Sequence, residues 1–302
     1  MQTILITGAN GQLGKDCRRV LQEDAAVTAV DVDEADIASE KEVTSLVAAV
    51  KPDIIVNCAA FTQVDACEEQ VEKAWDANAR GPANLAGAAA ATGARLIHIS
   101  TDYVFDGAKP PPGAYTEYDI PNPVSVYGQS KLAGEKRIME AANNYIILRT
   151  AWLYGACGKN FLRTIAGKIA SEPATRLKIV ADQHGAPTWS YRLALQIRRL
   201  LSTDAAGIYH ASAEGSCTWY ELACLLCRRL ELACPIEPCT TEEYPTPARR
   251  PQNSILENHR LKAENANIML HWQQDVETFL AAHGGELTAP PEKRGGGGGA
   301  GS

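Results

Sequence analysis

Residues 3–14 read TILITGANGQLG: a short strand-forming run, a turn with glycine at positions 8, 11 and 14, and the start of LGKDCRRVLQ, where Leu13, Cys17, Val20 and Leu21 recur at helical spacing. Strand, glycine turn and helix in that order form the opening unit of a dinucleotide-binding α/β fold. Gly8 permits the tight turn, Gly11 lets a pyrophosphate approach the backbone, and Gly14 lets helix and strand pack closely, with helix N–H groups aimed at the phosphates. Outward from this unit the pattern repeats. Strands are expected at AVTAVD (26–31), DIIVNCAA (53–60), RLIHIST (95–101) and YIILRTAW (145–152), with helices at SEKEVTSLVAAV (39–50), at 72–93 and from Ser125 to Ala142. Near-continuous apolar strands alternating with helices predict a doubly wound, Rossmann-type parallel sheet covered on both faces.

Beyond Trp152 the rhythm weakens. A helix is expected at NFLRTIAGKIA (160–170), a strand at RLKIVAD (176–182), a helix at SYRLALQIRRLLS (190–202) and a strand at GIYHAS (207–212); the proline-rich stretch from Pro235 to Pro251 reads as irregular loop. Residues 1–152, joined by 177–205, are therefore expected to form the dinucleotide-binding domain. Residues 153–176 and 206–285 would form a smaller C-terminal lobe on the carboxyl ends of the strands, and 286–302, ending in EKRGGGGGAGS, a flexible tail.

With 302 residues, 45% hydrophobic and 22% charged, the chain fills one large α/β domain or two smaller ones and is not predominantly disordered. A net charge of −7 argues against a nucleic-acid backbone as partner. No apolar run approaches the roughly 18 residues of a membrane helix. MQTILITGANG has neither basic leader nor cleavage site, so a soluble cytoplasmic protein is expected. Nine cysteines, an odd number, fit thiols in a reducing compartment better than a disulfide framework. Cys217, Cys224, Cys227, Cys234 and Cys239 cluster, but Cys224 and Cys227 fall in the helical pattern TWYELACLLCRRLEL and the spacings match no zinc ribbon or finger. Core packing is the expected role, with no metal.

Asp31 closes the second strand, where a carboxylate would accept hydrogen bonds from ribose hydroxyls and repel a 2′-phosphate; NADH is thereby favoured over NADPH. Asp36 and Ile37 would flank the adenine, and Ala60, Phe61 and Thr62 end the third strand where the sheet opens its ligand crevice. In YGQSK, Tyr127 and Lys131 stand four residues apart, on one face of a helix. An ammonium beside a phenol lowers its pKa toward a range useful for proton transfer to a carbonyl oxygen as hydride arrives at carbon. Ser100-Thr101-Asp102-Tyr103 ends the preceding strand and offers the Thr101 hydroxyl to the same carbonyl.

The motifs TGANGQLG, VNCAAFTQVDACE, ISTDYVFDG, YGQSKLAGE, ILRTAWLYG, DQHGAPTW and ARRPQNSIL span residues 3 to 256. Together they resemble the extended short-chain dehydrogenase/reductases and, more narrowly, the dTDP-4-dehydrorhamnose reductase family. The resemblance implies a catalytic set of Thr101, Tyr127 and Lys131, with Lys131 also holding the nicotinamide ribose. It implies cofactor contacts from Gly11, Gln12, Leu13, Asp31, Asp36, Ile37, Ala60, Phe61 and Thr62, and a sugar site lined by Thr101, Asp102, Tyr103, Tyr127 and Trp152. The implied reaction is NAD(P)H-dependent reduction of dTDP-4-dehydro-6-deoxy-L-mannose to dTDP-L-rhamnose, without a metal. Arg249 and Arg250 are candidates for the nucleotide diphosphate, since guanidinium matches phosphate bidentately. Two alternatives stand beside this reading. One is a reductase of another nucleotide-linked 4-ketosugar; the other is a non-catalytic protein similar to the regulatory β subunit of methionine adenosyltransferase. A homodimer is compatible with the sequence, though no linear pattern specifies one.

Overall fold

The computed structural model describes residues 1–172, 176–232 and 236–288. The expected tail begins too early at 286: Glu286, Leu287 and Thr288 are the last residues of a helix, while 289–302 and Cys234 lie outside the described residues.

Six parallel strands form the central sheet: β1 (Thr3–Thr7), β2 (Ala26–Val30), β3 (Ile54–Asn57), β4 (Arg95–Thr101), β5 (Tyr145–Thr150) and a late strand, Gly207–His210. Their spatial order is β2-β1-β3-β4-β5-(207–210). The helices α1 (Gln12–Leu21), α2 (Glu40–Val50), α3 (Gly81–Thr92), α4 (Val126–Ala141), α5 (Phe161–Ser171) and α6 (Ser190–Leu201) follow in chain order. Helices α1 and α6 cover one face, packing Leu13, Cys17, Val20, Leu193 and Ile197 on Ile4, Ile6 and Val56. On the other face α2, α3 and α4 pack Val43, Leu85 and Ile138 against Leu5, Ile55 and Leu96. Because β-strand side chains alternate between faces, burial on both sides requires the continuous apolar runs seen in the sequence.

Two strands exchange places relative to the sequence reading. Gly207–His210, expected in the smaller lobe, pairs with β5 in the central sheet. Leu177–Val180, expected with the sheet, instead pairs with Ile236–Cys239, a strand inside the stretch read as loop. Short apolar runs look alike, and tertiary contacts decide which sheet they join. The smaller lobe has its own core of Leu162, Ile165, Leu222, Leu226, Val276 and Phe279, drawn from α5, α7 (Trp219–Arg229) and α8 (Trp272–Thr288). Cys217 and Cys227 are buried in that core. No helix among the described residues is long and apolar enough to cross a membrane.

Candidate active site

The chain leaves β1 toward β2 and then crosses back to β3, so the carboxyl ends of β1 and β3 diverge. In open α/β sheets that switch point is where ligands bind. Gly8 occupies the turn with φ of +71°, and a Cβ there would lie 2.5 Å from the Ala59 nitrogen, which makes glycine obligatory. No side chain caps the N-terminus of α1 and its first turn holds no acidic residue, so its N–H groups fit a pyrophosphate. Asp31 is fixed by two backbone donors, Asn10 N–H at 2.7 Å and Val32 N–H at 2.8 Å. It lines a cavity of about 300 Å³ with Gly8, Gly11, Asp36, Ile37, Ala60 and Phe61.

Phe61 is held by a residue the sequence reading did not single out. The Phe61 N–H donates to Asn78 Oδ1 at 2.8 Å, and Asn78 Nδ2 donates back to the Phe61 carbonyl at 3.0 Å. Asn78 sits in a π-helical turn, Asp76–Arg80, which interrupts what reads as one continuous helix over 72–93. Such turns concentrate at functional sites because the extra residue re-aims a side chain.

An adjoining cavity of about 400 Å³ brings Gly11, Gln12, Leu13, Gly14, Ala60 and Thr62 together with Thr101, Asp102, Tyr103, Tyr127, Lys131 and Trp152. Ser125 starts α4 by accepting from Gly128 N–H at 3.2 Å. A Cβ at Gly128 would strike the Tyr103 carbonyl, so glycine lets the first turn of α4 approach the end of β4. Tyr127 thereby meets Tyr103 edge-on, with ring centroids 5.6 Å apart, and shares a hydrogen bond with Thr101. Ser100, one residue earlier, donates to Glu135 at 2.5 Å, and Glu135 accepts a two-pronged ion pair from Arg149 at 2.9 and 2.6 Å. Arg149 and Glu135 are fully buried, so this pair clamps β4, β5 and α4 directly beneath the site.

The expected electrostatics of the Tyr–Lys pair need correction. Burial raises the Tyr127 phenol above its ordinary value, and Lys131 does not counter it. The Lys131 amine is turned away, donating to the Ile99 carbonyl at 2.6 Å and lying 3.3 Å from His98 Nε2. Lys131 is itself pushed down to about 8 by burial, opposed by Glu135 and Cys58. Tyr127 is thus held in its protonated form at neutral pH. Burial also lifts the Asp102 carboxyl to about 6, against hydrogen bonds from Ser254 and Thr101.

The far wall of the cavity comes from the smaller lobe. Trp152 takes a left-handed backbone (φ 45°) just past β5 and stacks on Trp219, with ring centroids 3.5 Å apart. Trp219 and Lys159, which also line the cavity, escaped the sequence reading. Thr218 and Glu221 form a capping box that starts α7 at Trp219, a signal visible in TWYE, but the helix start alone does not reveal where its first residue points. Arg250 donates to Asp65 at 2.8 Å and hydrogen-bonds Tyr103, joining the lobes at the cavity edge. It lines a third cavity, about 460 Å³, with Lys168, Arg176 and Lys178; Trp219 borders this cavity and the 400 Å³ one. Arg249 does not join it: that residue is exposed and lines none of these cavities.

A family model described as the RmlD substrate binding domain matches residues 1–284. The chain is 39% identical over 290 residues to a dTDP-4-dehydrorhamnose reductase of Burkholderia thailandensis, covering 90% of this chain and 96% of that protein. Among solved structures it is similar to a dTDP-4-dehydrorhamnose reductase from Clostridium acetobutylicum, at 40% identity and a TM-score of 0.89 over 93% of this chain and 99% of that one. The dTDP-4-dehydrorhamnose reductase from Bacillus anthracis, solved in complex with NADP, matches at 38% identity and a TM-score of 0.89 with the same two coverages.

Proposed function

The chain belongs to the dTDP-4-dehydrorhamnose reductase family, and from that premise we propose that it reduces the 4-keto group of dTDP-4-dehydro-6-deoxy-L-mannose to give dTDP-L-rhamnose. The observation that carries this reading is the convergence of Thr101, Tyr127 and Lys131 with the glycine turn on one cavity. Gly11, Gln12, Leu13 and Asp31 would hold a nicotinamide dinucleotide, which when bound would supply the hydride for C4 of the sugar. Tyr127, kept protonated by burial, donates its proton to the keto oxygen as that oxygen becomes an alcohol. The Thr101 hydroxyl, which donates to Asp102, turns to the same oxygen, and Lys131 would hold the nicotinamide ribose.

Asp31, fixed at the end of β2 by the Asn10 and Val32 N–H groups, favours NADH, because a 2′-phosphate placed there would meet a carboxylate. The stacked Trp152 and Trp219 offer an apolar face to the sugar, and Arg250 with Lys168 offers positive charge to the diphosphate. The test is cofactor oxidation with enzymatically generated dTDP-4-keto-6-deoxy-L-mannose beside its UDP and GDP analogues. Turnover confined to the dTDP sugar is the expected result. Turnover with an analogue alone would reassign the substrate, and none with any of the three would refute the enzymatic reading.

A further inference from the structure

His98 is the ionisable residue within the apolar run LIHI (96–99), fully buried, and takes no part in the reaction. Its surroundings fix its protonation. Thr7 Oγ1 donates to Asn57 Oδ1 at 2.8 Å, and the Ala59 N–H donates to the same atom at 3.0 Å. A backbone N–H can only donate, so that atom of Asn57 is the oxygen and the other is the NH₂ group. The NH₂ group lies 3.0 Å from His98 Nδ1, which therefore presents a lone pair. In the neutral ring the proton then sits on Nε2, and a second proton on Nδ1 would face the Asn57 NH₂ head on. Burial first, and Lys131 second, hold the ring neutral.

The Nε2–H faces Lys131 Nζ at 3.3 Å. An ammonium offers donors only, whereas a neutral amine has a lone pair to accept from Nε2–H. We propose that His98 is a positioning residue of the reduction: its Nε2–H, oriented by Asn57, favours the neutral amine of Lys131 and so sets the pH above which Lys131 no longer presents an ammonium to the cofactor side of the site. The inference rests on the role given to Lys131 above. The other titratable groups acting on Lys131 are Glu135 on α4 and Cys58 beyond β3; both favour the ammonium, so His98 and burial oppose them.

Two measurements test it. In the full chain labelled with ¹⁵N-histidine, with His98 assigned by its loss in His98→Gln, the nitrogen shifts should report a bare Nδ1 and a protonated Nε2 from about pH 6 to about pH 9. A protonated Nδ1, alone or in an imidazolium, would overturn the proposal without any reference to activity. Second, Asn57→Asp keeps the shape and the bonds from Thr7 and Ala59 but turns the group facing Nδ1 into an acceptor. That moves the ring proton to Nδ1 and leaves Nε2 to accept from the ammonium. The alkaline limb of kcat should then move up by about one pH unit, with KM for the sugar little changed. An unmoved limb in Asn57→Asp, in an enzyme that Tyr127→Phe still silences, would remove His98 from the account and leave the reductase reading standing.

Discussion

The two walls of the cavity are held by different means. On the sheet side, Thr101 and Lys131 rest on buried polar pairs whose donors and acceptors are fixed in orientation: Ser100 with Glu135 and Arg149, and Asn57 with His98. On the lobe side, the surface is a stacked indole pair and a guanidinium bound to a half-exposed carboxylate. A buried, two-pronged charge pair is costly to break, even with Arg149 Nη1 left without a hydrogen-bond partner, while half-exposed contacts tolerate substitution. Under the proposed function the first wall carries chemistry and the second recognition, which predicts which kinetic constant each wall controls.

The largest expected effect falls on the sheet wall. Tyr127→Phe should lower kcat by about 10²–10⁴-fold while leaving cofactor affinity unchanged, measured by steady-state turnover beside a cofactor titration. Glu135→Ala leaves the Arg149 guanidinium buried without its carboxylate and should cost about 3–5 kcal/mol of stability in urea denaturation. A loss below about 1 kcal/mol would mean that the clamp is not rigid.

Asp102 sits where the walls meet, and its effect depends on pH. Its folded pKa of about 6 is raised above the unfolded value, so its contribution is fully present below the unfolded pKa and is lost as pH rises through about 6. Asp102→Asn does not titrate. It should gain on the native chain, by on the order of 2–3 kcal/mol, when denaturation at about pH 8 is compared with that at about pH 4. A constant difference between the two proteins would show that the carboxyl is not held in its neutral form.

On the lobe wall, Arg250→Ala should raise KM for the nucleotide sugar by about 10-fold or more with kcat nearly unchanged, consistent with loss of a charge-assisted contact, whereas Arg249→Ala should change neither. A kcat effect at Arg250 would break the division between the walls. The smallest effect is expected at Asp31, where Asp31→Ala should narrow the preference for NADH over NADPH in parallel titrations.

What the sequence discloses follows the same division. The glycine turn and Tyr127–Lys131 are legible because local chemistry dictates them: a positive φ at Gly8, and a four-residue spacing on one helical face. The supports beneath them depend on register instead. Asn57 lies opposite His98 across β3 and β4, and Ser100 opposite Arg149 across β4 and β5, pairings that no single strand reveals. Asn78 reaches Phe61 only because a π turn redirects it. The four-residue spacing points Lys131 at the phenol, yet a carbonyl and an imidazole on β4 hold it elsewhere, a competition visible only once the strand lies beneath the helix.

The most direct test of the central claim follows a labelled hydride. With nicotinamide-deuterated NADH and dTDP-4-keto-6-deoxy-L-mannose, the native chain should place deuterium on C4 of the sugar, read by NMR, while Tyr127→Phe binds the same cofactor and transfers almost none. Deuterium at another carbon, or transfer by Tyr127→Phe at the native rate, would contradict the account.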